Sequence, residues 1–215
     1  MEMIMKFDSL TTAIADGKLE SAVENVNLAL KAGLNPQTII SDYLILGMEQ
    51  IGQRFSEGKA YVPNLLMSGR AMKGCLEILR PLMIGEVSVS YGKVVIGTVK
   101  GDLHDIGKNL VATMFEGCGF EVINVGIDVS SDKFIEAVKE NNADILCLSA
   151  LLTTTMTYME EVIKALDVAG LRQQVKVMIG GAPLSESFAK QIGADAYTSD
   201  ANSAILKAKQ LLGVA

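Results

Sequence analysis

The sequence predicts a helical bundle followed by a doubly wound α/β domain with five parallel strands. Three observations carry that expectation. Residues 1–88 show only helical spacing of apolar side chains. After a short polar stretch the pattern changes type, and β-branched runs alternate with helical segments five times. Such alternation implies parallel strands joined by covering helices. Finally, 215 residues with 49% hydrophobic and 20% charged content suffice for a buried core in one or two domains.

In the first part, a helix is expected from about Met3 to Ala15, ending at Asp16-Gly17. A second, from about Lys18 to Lys31, carries Leu19, Val23, Val26 and Leu30 on one face and stops at Gly33. Asn35-Pro36 reads as a side-chain cap followed by proline at the first helical position. That helix extends to about Phe55, with Ile39, Ile40, Tyr43, Leu44, Leu46 and Ile51 as its apolar set. After the turn Ser56-Glu57-Gly58-Lys59, Pro63 opens a fourth helix. Its inward set is Leu65, Leu66, Met67, Met72, Leu76 and Leu79, and it closes near Pro81 to Gly85. Short turns between four helices imply an antiparallel bundle.

Glu86 to Gly92 reads as a linker, placing the domain boundary at 88/89. Strands are then expected at Lys93–Val99, Glu121–Val125, Asp144–Ser149, Val175–Ile179 and Ala196–Thr198. The helices between and after them are expected at about Asn109–Cys118, Ser131–Asn141, Thr155–Ala169, Ser185–Ile192 and Ala201–Leu212. Five such units fit a flavodoxin-like (Rossmann-like) sheet, in which ligands bind beyond the carboxyl ends of the strands, near the switch point in strand order.

Composition narrows the function classes. A net charge of −6 argues against sequence-independent nucleic-acid binding, which needs a basic stripe. No apolar stretch approaches ~18 uninterrupted residues, so no membrane span is expected, and Met1 to Phe7 lacks the apolar core of a signal peptide. The three cysteines, Cys75, Cys118 and Cys147, sit in apolar contexts and read as buried reduced thiols, consistent with a cytoplasmic protein.

The chemistry concentrates at three predicted strand ends: Gly101-Asp102-Leu103-His104-Asp105-Ile106-Gly107, Ser149-Ala150-Leu151-Leu152-Thr153-Thr154-Thr155, and Gly180-Gly181-Ala182-Pro183. His104 is the only histidine of the chain. It reads as a general base, a metal ligand or a packed side chain. A ligating imidazole normally gives its second ring proton to a carboxylate, and Asp102 lies two residues away. Asp102 and Asp105 also suit capping of the next helix, the preferred reading for Asp105. The run Thr153 to Thr155 is most simply a cap as well. Zinc needs about four protein ligands, or three plus water, and one histidine with dispersed cysteines does not supply them. A single axial ligand fits a metal already chelated by a macrocycle; haem is possible in principle, though it needs a wide apolar slot. The spacing Gly101 to Gly107-Lys108 is one residue too long for a phosphate loop, and Asn109 replaces the magnesium-binding hydroxyl. Ser149 lacks the glycines of a nucleophile elbow.

These motifs resemble the Asp-x-His-x-x-Gly, Ser-x-Leu and Gly-Gly signature of cobalamin-binding domains. That signature is shared by cobalamin-dependent methionine synthase, several mutases and the small corrinoid proteins of methylamine- and methanol-type methyltransferase systems. The helical part, from Gly47-Met48 through Gly58-Lys59-Ala60-Tyr61-Val62-Pro63 to Ala71-Met72-Lys73, is similar to the four-helix cap of methionine synthase and of these corrinoid proteins. The resemblance implies cobalamin bound base-off with His104 as axial cobalt ligand and Asp102 as the carboxylate behind it. Thr155 falls where the family often has a serine completing the relay. Ser149 and Leu151 match residues lining the slot for the displaced nucleotide tail; Gly107, Gly180 and Gly181 match glycines that let the tail approach closely. Asp105, Ile106 and Thr153 belong to the same implied contact set. Tyr61, Val62, Pro63 and Leu66 match the cap region facing the upper side of the corrin, unless they are ordinary bundle core.

The activity implied is that of a methyl carrier in one-carbon metabolism, a shuttle subunit with no catalysis of its own. A substrate-specific methyltransferase would load the methyl group onto cobalt. A second would transfer it to tetrahydrofolate or coenzyme M, and a reductive activation protein would maintain the cofactor. Two alternatives are a cobalamin-dependent sensor, which pairs a similar cap with a DNA-binding module, and the binding subunit of a mutase, which usually lacks the cap.

Overall fold

The computed structural model describes residues 7–83 and 90–214. The expected start of the first helix at Met3, the closure of the fourth at Gly85 and the 88/89 boundary lie outside those residues. The described chain forms two compact units, one from the helices up to Ser90 together with Glu116–Gly119, the other from Tyr91–Phe115 and Phe120 onward.

In the helical unit, α1 (Asp8–Ala15) and α2 (Leu19–Lys31) are followed by α3 (Pro36–Ile39), a π turn (Ile40–Leu44) and α4 (Ile45–Ser56). Asn35 caps α3 as expected, its side chain accepting from the Gln37 N–H at 2.7 Å. The third predicted helix is thus continuous but wound one residue wider over one turn. That extra residue changes the phase of α4: Ile45 is buried, whereas Leu46, expected inward, is 45% exposed. Helix α5 (Val62–Leu79) runs into a 3₁₀ turn (Arg80–Met83). Leu65, Met72, Leu76 and Leu79 are buried, but Leu66 and Met67, also expected inward, are exposed. Residues 65, 72, 76 and 79 recur at helical spacing and complete one stripe, and Leu66 and Met67 fall beside it.

The second unit holds β1 (Lys93–Val99), α6 (Ile106–Gly117), β2 (Glu121–Val129), α7 (Ser131–Asn141), β3 (Ile145–Ser149), α8 (Tyr158–Val168), β4 (Lys176–Gly180), α9 (Glu186–Ile192), β5 (Ala196–Thr198) and α10 (Ala201–Leu212). All pairings are parallel, in the order β2-β1-β3-β4-β5. This is the doubly wound flavodoxin-like sheet, with its switch point between β1 and β3. Val95, Leu146 and Val177 pack with Phe134, Val162, Leu166 and Ile192 from α7, α8 and α9. Val94, Ile96, Ile145, Cys147 and Met178, out of phase by one, are buried on the opposite face. Cys75, Cys118 and Cys147 are free and buried, and burial pushes the Cys75 and Cys147 thiols up to about 12.

Three boundaries bear on the site. Helix α6 begins at Ile106, three residues before the expected Asn109, so Asp105 directly precedes it. Helix α8 begins at Tyr158, so the threonine run lies outside it. Strand β2 continues to Val129, four residues past the expected end, through two register slips against β1. Each slip inserts one residue, and edge strands absorb such bulges readily.

Candidate functional site

The parallel registers place Thr98, Ser149, Gly180 and Thr198 in one row across the strand ends. The loops that leave this row are the three singled out by sequence. The first leaves β1 through a turn closed by the Asp102 N–H donating to the Val99 carbonyl at 3.1 Å. Gly101 occupies its third position with φ +81°, as a type II turn requires of that residue. The turn drops the Asp102 side chain inward, fully buried, and leaves Leu103, His104 and Ile106 outside.

Asp102 is the hub. Its Oδ1 accepts from the His104 backbone N–H at 3.0 Å and lies 2.7 Å from His104 Nδ1. Its Oδ2 accepts from the Leu151 N–H at 2.8 Å, the Leu152 N–H at 3.3 Å and the Thr155 hydroxyl at 2.7 Å. Burial alone would raise this carboxyl. The donors from Leu151, His104 and Thr155 outweigh it and hold Asp102 well below the usual carboxylate range. An ionised carboxylate only accepts, so the proton on the imidazole sits on Nδ1. Nε2 of the neutral ring is then left with a free lone pair. The His104 side chain is 51% exposed, so that lone pair is available to a ligand.

The β3 loop thus joins the β1 loop through one buried carboxylate. Thr155 is buried on Asp102 and, with α8 starting three residues later, does not cap that helix; Thr153 is exposed and takes no part in the Asp102 network. The β4 loop is locked to β3 as well. The Ala150 N–H donates to the Gly180 carbonyl at 3.3 Å. A Cβ on Gly181, at φ +144°, would stand 1.8 Å from the Ala150 carbonyl oxygen. Gly181 is therefore required by the chain itself. Gly180 differs: a Cβ there meets only the Thr198 carbonyl, at 3.6 Å, and at Gly107 it meets nothing within 4 Å. Both glycines border open space.

Asp105 presents its backbone carbonyl to the Asn109 N–H at 2.7 Å, the position of a helix cap, while its carboxylate accepts from Asn109 Nδ2 at 3.0 Å. Leu103, Ile106, Leu151 and Leu152 are all exposed, at 68, 80, 43 and 42%. Leu103 and Ile106 flank His104 in the chain and Leu151 and Leu152 donate to Asp102 from the β3 loop, so apolar side chains are left exposed around the imidazole's carboxylate, as at a binding surface. In the helical unit, Tyr61 (70%), Val62 and Leu66 are exposed too, with Met67 beside them, which sets aside the bundle-core reading for all three.

Several participants were not anticipated. Leu152 donates to Asp102, and the buried Thr98 hydroxyl donates to the His104 carbonyl at 2.9 Å. Lys108 is buried, its ammonium donating to Asn109 Oδ1 at 2.6 Å and Asn124 Oδ1 at 2.8 Å. Burial pulls it below the usual lysine range, and the charge of Asp105 opposes that pull. Asp128 closes on the β1 turn from β2. Thr98 was legible as the last inward hydroxyl of an apolar strand; the β2 residues had no comparable signal.

Comparison with known proteins points the same way. A family model described as a B12 binding domain matches residues 92–206, and a second with that description matches residues 6–80. The dimethylamine corrinoid protein 1 of Methanosarcina acetivorans is 45% identical over 204 residues, covering 94% of this chain and 95% of that protein. The trimethylamine corrinoid protein of Methanosarcina barkeri is 41% identical over 204 residues, covering 94% of each. Among solved structures, a cobalamin-binding protein from Desulfitobacterium hafniense DCB-2 matches with TM-score 0.82 and 32% identity, over 96% of this chain and 98% of that one. The methanol:cobalamin methyltransferase complex from Methanosarcina barkeri matches with TM-score 0.87 and 30% identity, over 100% of this chain and 81% of the matched chain. A B12-binding model over most of the sheet unit, and relatives of this identity over nearly the full length, make this chain a member of the corrinoid-protein family of methyltransferase systems.

Proposed function

We propose that this protein is a cytoplasmic methyl carrier that holds a corrinoid base-off, with His104 Nε2 as the lower ligand of cobalt. One observation carries the reading: a half-exposed imidazole whose Nδ1 is tied to a buried, ionised Asp102. The residues fit the group. No cluster of three or more His, Cys, Asp or Glu side chains able to hold a metal ion occurs among the described residues. A metal at His104 is therefore one that arrives already chelated. The exposed rim of Leu103, Ile106, Leu151 and Leu152 suits the apolar face of such a chelate. The open space at Gly180, in line with Ser149, suits its displaced nucleotide tail.

When bound, the corrinoid supplies the cobalt centre on which a methyl group is carried. The chain's own part is positional. Asp102 fixes the imidazole tautomer and orientation, which leaves Nε2 to the ligand. Thr155, Leu151 and Leu152 keep that carboxylate ionised by donating to it. Tyr61, Val62 and Leu66 are assigned to shielding the methyl group from water. The partners are a substrate-specific corrinoid methyltransferase, a second methyltransferase using tetrahydrofolate or coenzyme M, and a reductive activation protein. Identity to dimethylamine and trimethylamine corrinoid proteins favours a methylamine as donor.

The test is to reconstitute the apoprotein with hydroxocobalamin, reduce it, and offer it to methyltransferases for dimethylamine, trimethylamine and methanol. Methylation by an amine-specific partner is expected. Absence of cobalamin uptake would overturn the reading. A second expectation concerns the tail slot. Because a Cβ is tolerated at Gly180, Gly180→Val should fold with a melting temperature within a few degrees of wild type, a cost of about 1 kcal/mol. It should bind cobalamin at least about tenfold more weakly, since a branched side chain occupies the space needed by the tail. Equal affinities in titration by absorbance would place the tail elsewhere.

A further inference from the structure

Among the described residues, two non-glycine residues have positive φ: Asn142 at 49° and Asp128 at 52°. Asn142 ends helix α7, where a left-handed residue is ordinary. Asp128 ends no helix. It is the penultimate residue of strand β2, inside the second register slip between Gly126 and Val129, and the left-handed conformation there turns its side chain and its amide back toward β1. The two groups engage the β1 turn together. Asp128 Oδ1 accepts from the Gly101 N–H at 2.7 Å, and the Asp128 N–H donates to the Asp102 carbonyl at 3.1 Å. The turn's own bond uses the Asp102 N–H and leaves the Gly101 N–H free, so a partner from outside is needed. A carboxylate makes the stronger, shorter kind of bond to it.

We infer that Asp128 is a positioning residue for the His104 ligand: it clamps the Gly101–Asp102 segment from strand β2 and so aims the carboxylate that orients the imidazole. This rests on the reading of His104 as the lower ligand. The causal chain is short. Two bonds fix the backbone on either side of the Asp102 Cα, the Asp102 side chain leaves from that Cα, and its Oδ1 holds Nδ1. With the clamp gone, Asp102 keeps its donors from the β3 loop, but the backbone that carries it can shift relative to His104. A sub-ångström shift matters here because ligand orientation is set by outer partners. The left-handed conformation of Asp128 has a modest cost, and these bonds help to offset it.

Two variants separate the bond from the backbone. Asp128→Gly removes the acceptor but adopts positive φ freely, so it folds without strain. Asp128→Asn keeps an acceptor oxygen and tolerates the conformation. Each full-length protein is measured in two ways: amide hydrogen exchange of Gly101 in the apoprotein, and, after loading with hydroxocobalamin and reduction to cobalt(II), the fraction showing superhyperfine coupling to an axial nitrogen. For Asp128→Gly, faster Gly101 exchange is expected, with about a tenfold fall in the ratio of nitrogen-coupled to uncoupled cobalt, the low end for an outer-partner loss. Asp128→Asn should remain near wild type in both. Unchanged coupling in Asp128→Gly overturns the inference, as does an equal loss in Asp128→Asn, which would assign the effect to charge alone. Coupling absent from the wild type, or retained in His104→Ala, would instead overturn the ligand reading on which the inference rests.

Discussion

Replacing His104 by alanine is expected to leave the fold intact and to abolish protein-nitrogen ligation of cobalt. The two halves of that expectation come from separate observations. The His104 side chain is 51% exposed, so little packing is lost with it. Its partner does not become an orphan, because Asp102 Oδ1 still accepts from the residue-104 backbone N–H and Oδ2 keeps its donors from the β3 loop. The cost in stability is about 1 kcal/mol, a few degrees in melting temperature. Ligation has no such reserve, since the chain holds no other histidine. Losing an outer partner of a ligand typically costs 10–100-fold in metal affinity, so losing the ligand should weaken cobalamin binding by at least about a hundredfold. The cobalt(II) spectrum should lose its axial-nitrogen splitting, and free imidazole should restore it if the cavity left by the ring is otherwise formed. Retained splitting without added imidazole would remove His104 from the lower face altogether.

The loops that carry this chemistry were readable because each begins where an apolar run ends and a glycine or hydroxyl cluster begins. Gly101 after Val99, Ser149 after Leu148 and Gly180 after Ile179 mark strand ends, and a parallel sheet brings strand ends to one rim. The residues that brace the site were not readable, for a geometric reason. Asp128 reaches it from within the second of two register slips, where β2 gains a residue against β1, and Asn124 from the last pair before the first slip. Nothing in a period-two pattern announces a bulge, and the glycine at 126 reads equally well as the end of the strand. In the helical unit the same kind of slip, one extra residue in the turn Ile40–Leu44, moved Leu46 outward. The exposure of Leu66 and Met67 has a different origin. Apolar side chains next to a buried stripe look like a wider stripe in sequence, and only the fold shows that they are exposed. Thr155 illustrates a third limit. Spacing reads a threonine before a helix as a cap; its partner Asp102 lies 53 residues earlier, and only the family resemblance implied that relay.

Asp102→Asn is expected to have the larger effect on stability and to alter its pH dependence in a predictable direction. An asparagine is isosteric, but one of its two terminal groups is now a donor. At Oδ1 the amide nitrogen would face the His104 N–H and imidazole; at Oδ2 it would face Leu151, Leu152 and Thr155. Either orientation opposes donors to a donor in a fully buried site, a cost of about 3 kcal/mol. The pH dependence comes from the depressed carboxyl. A group whose folded value lies below its unfolded value of about 3.9 contributes stability that is complete above that value and is lost as pH falls through the folded one. In the wild type this contribution is lost below about pH 4; in Asp102→Asn it is absent throughout. All other carboxylates titrate alike in both proteins and cancel in the difference. The gap between the two melting temperatures should therefore be widest near pH 5 and narrow steadily as the pH is lowered toward 3. A gap that stays constant over that range would mean that the ionised form of Asp102 contributes nothing to the fold. The carboxylate would then act on the imidazole by geometry alone, and the variant should ligate cobalt through His104 nearly as well as the wild type.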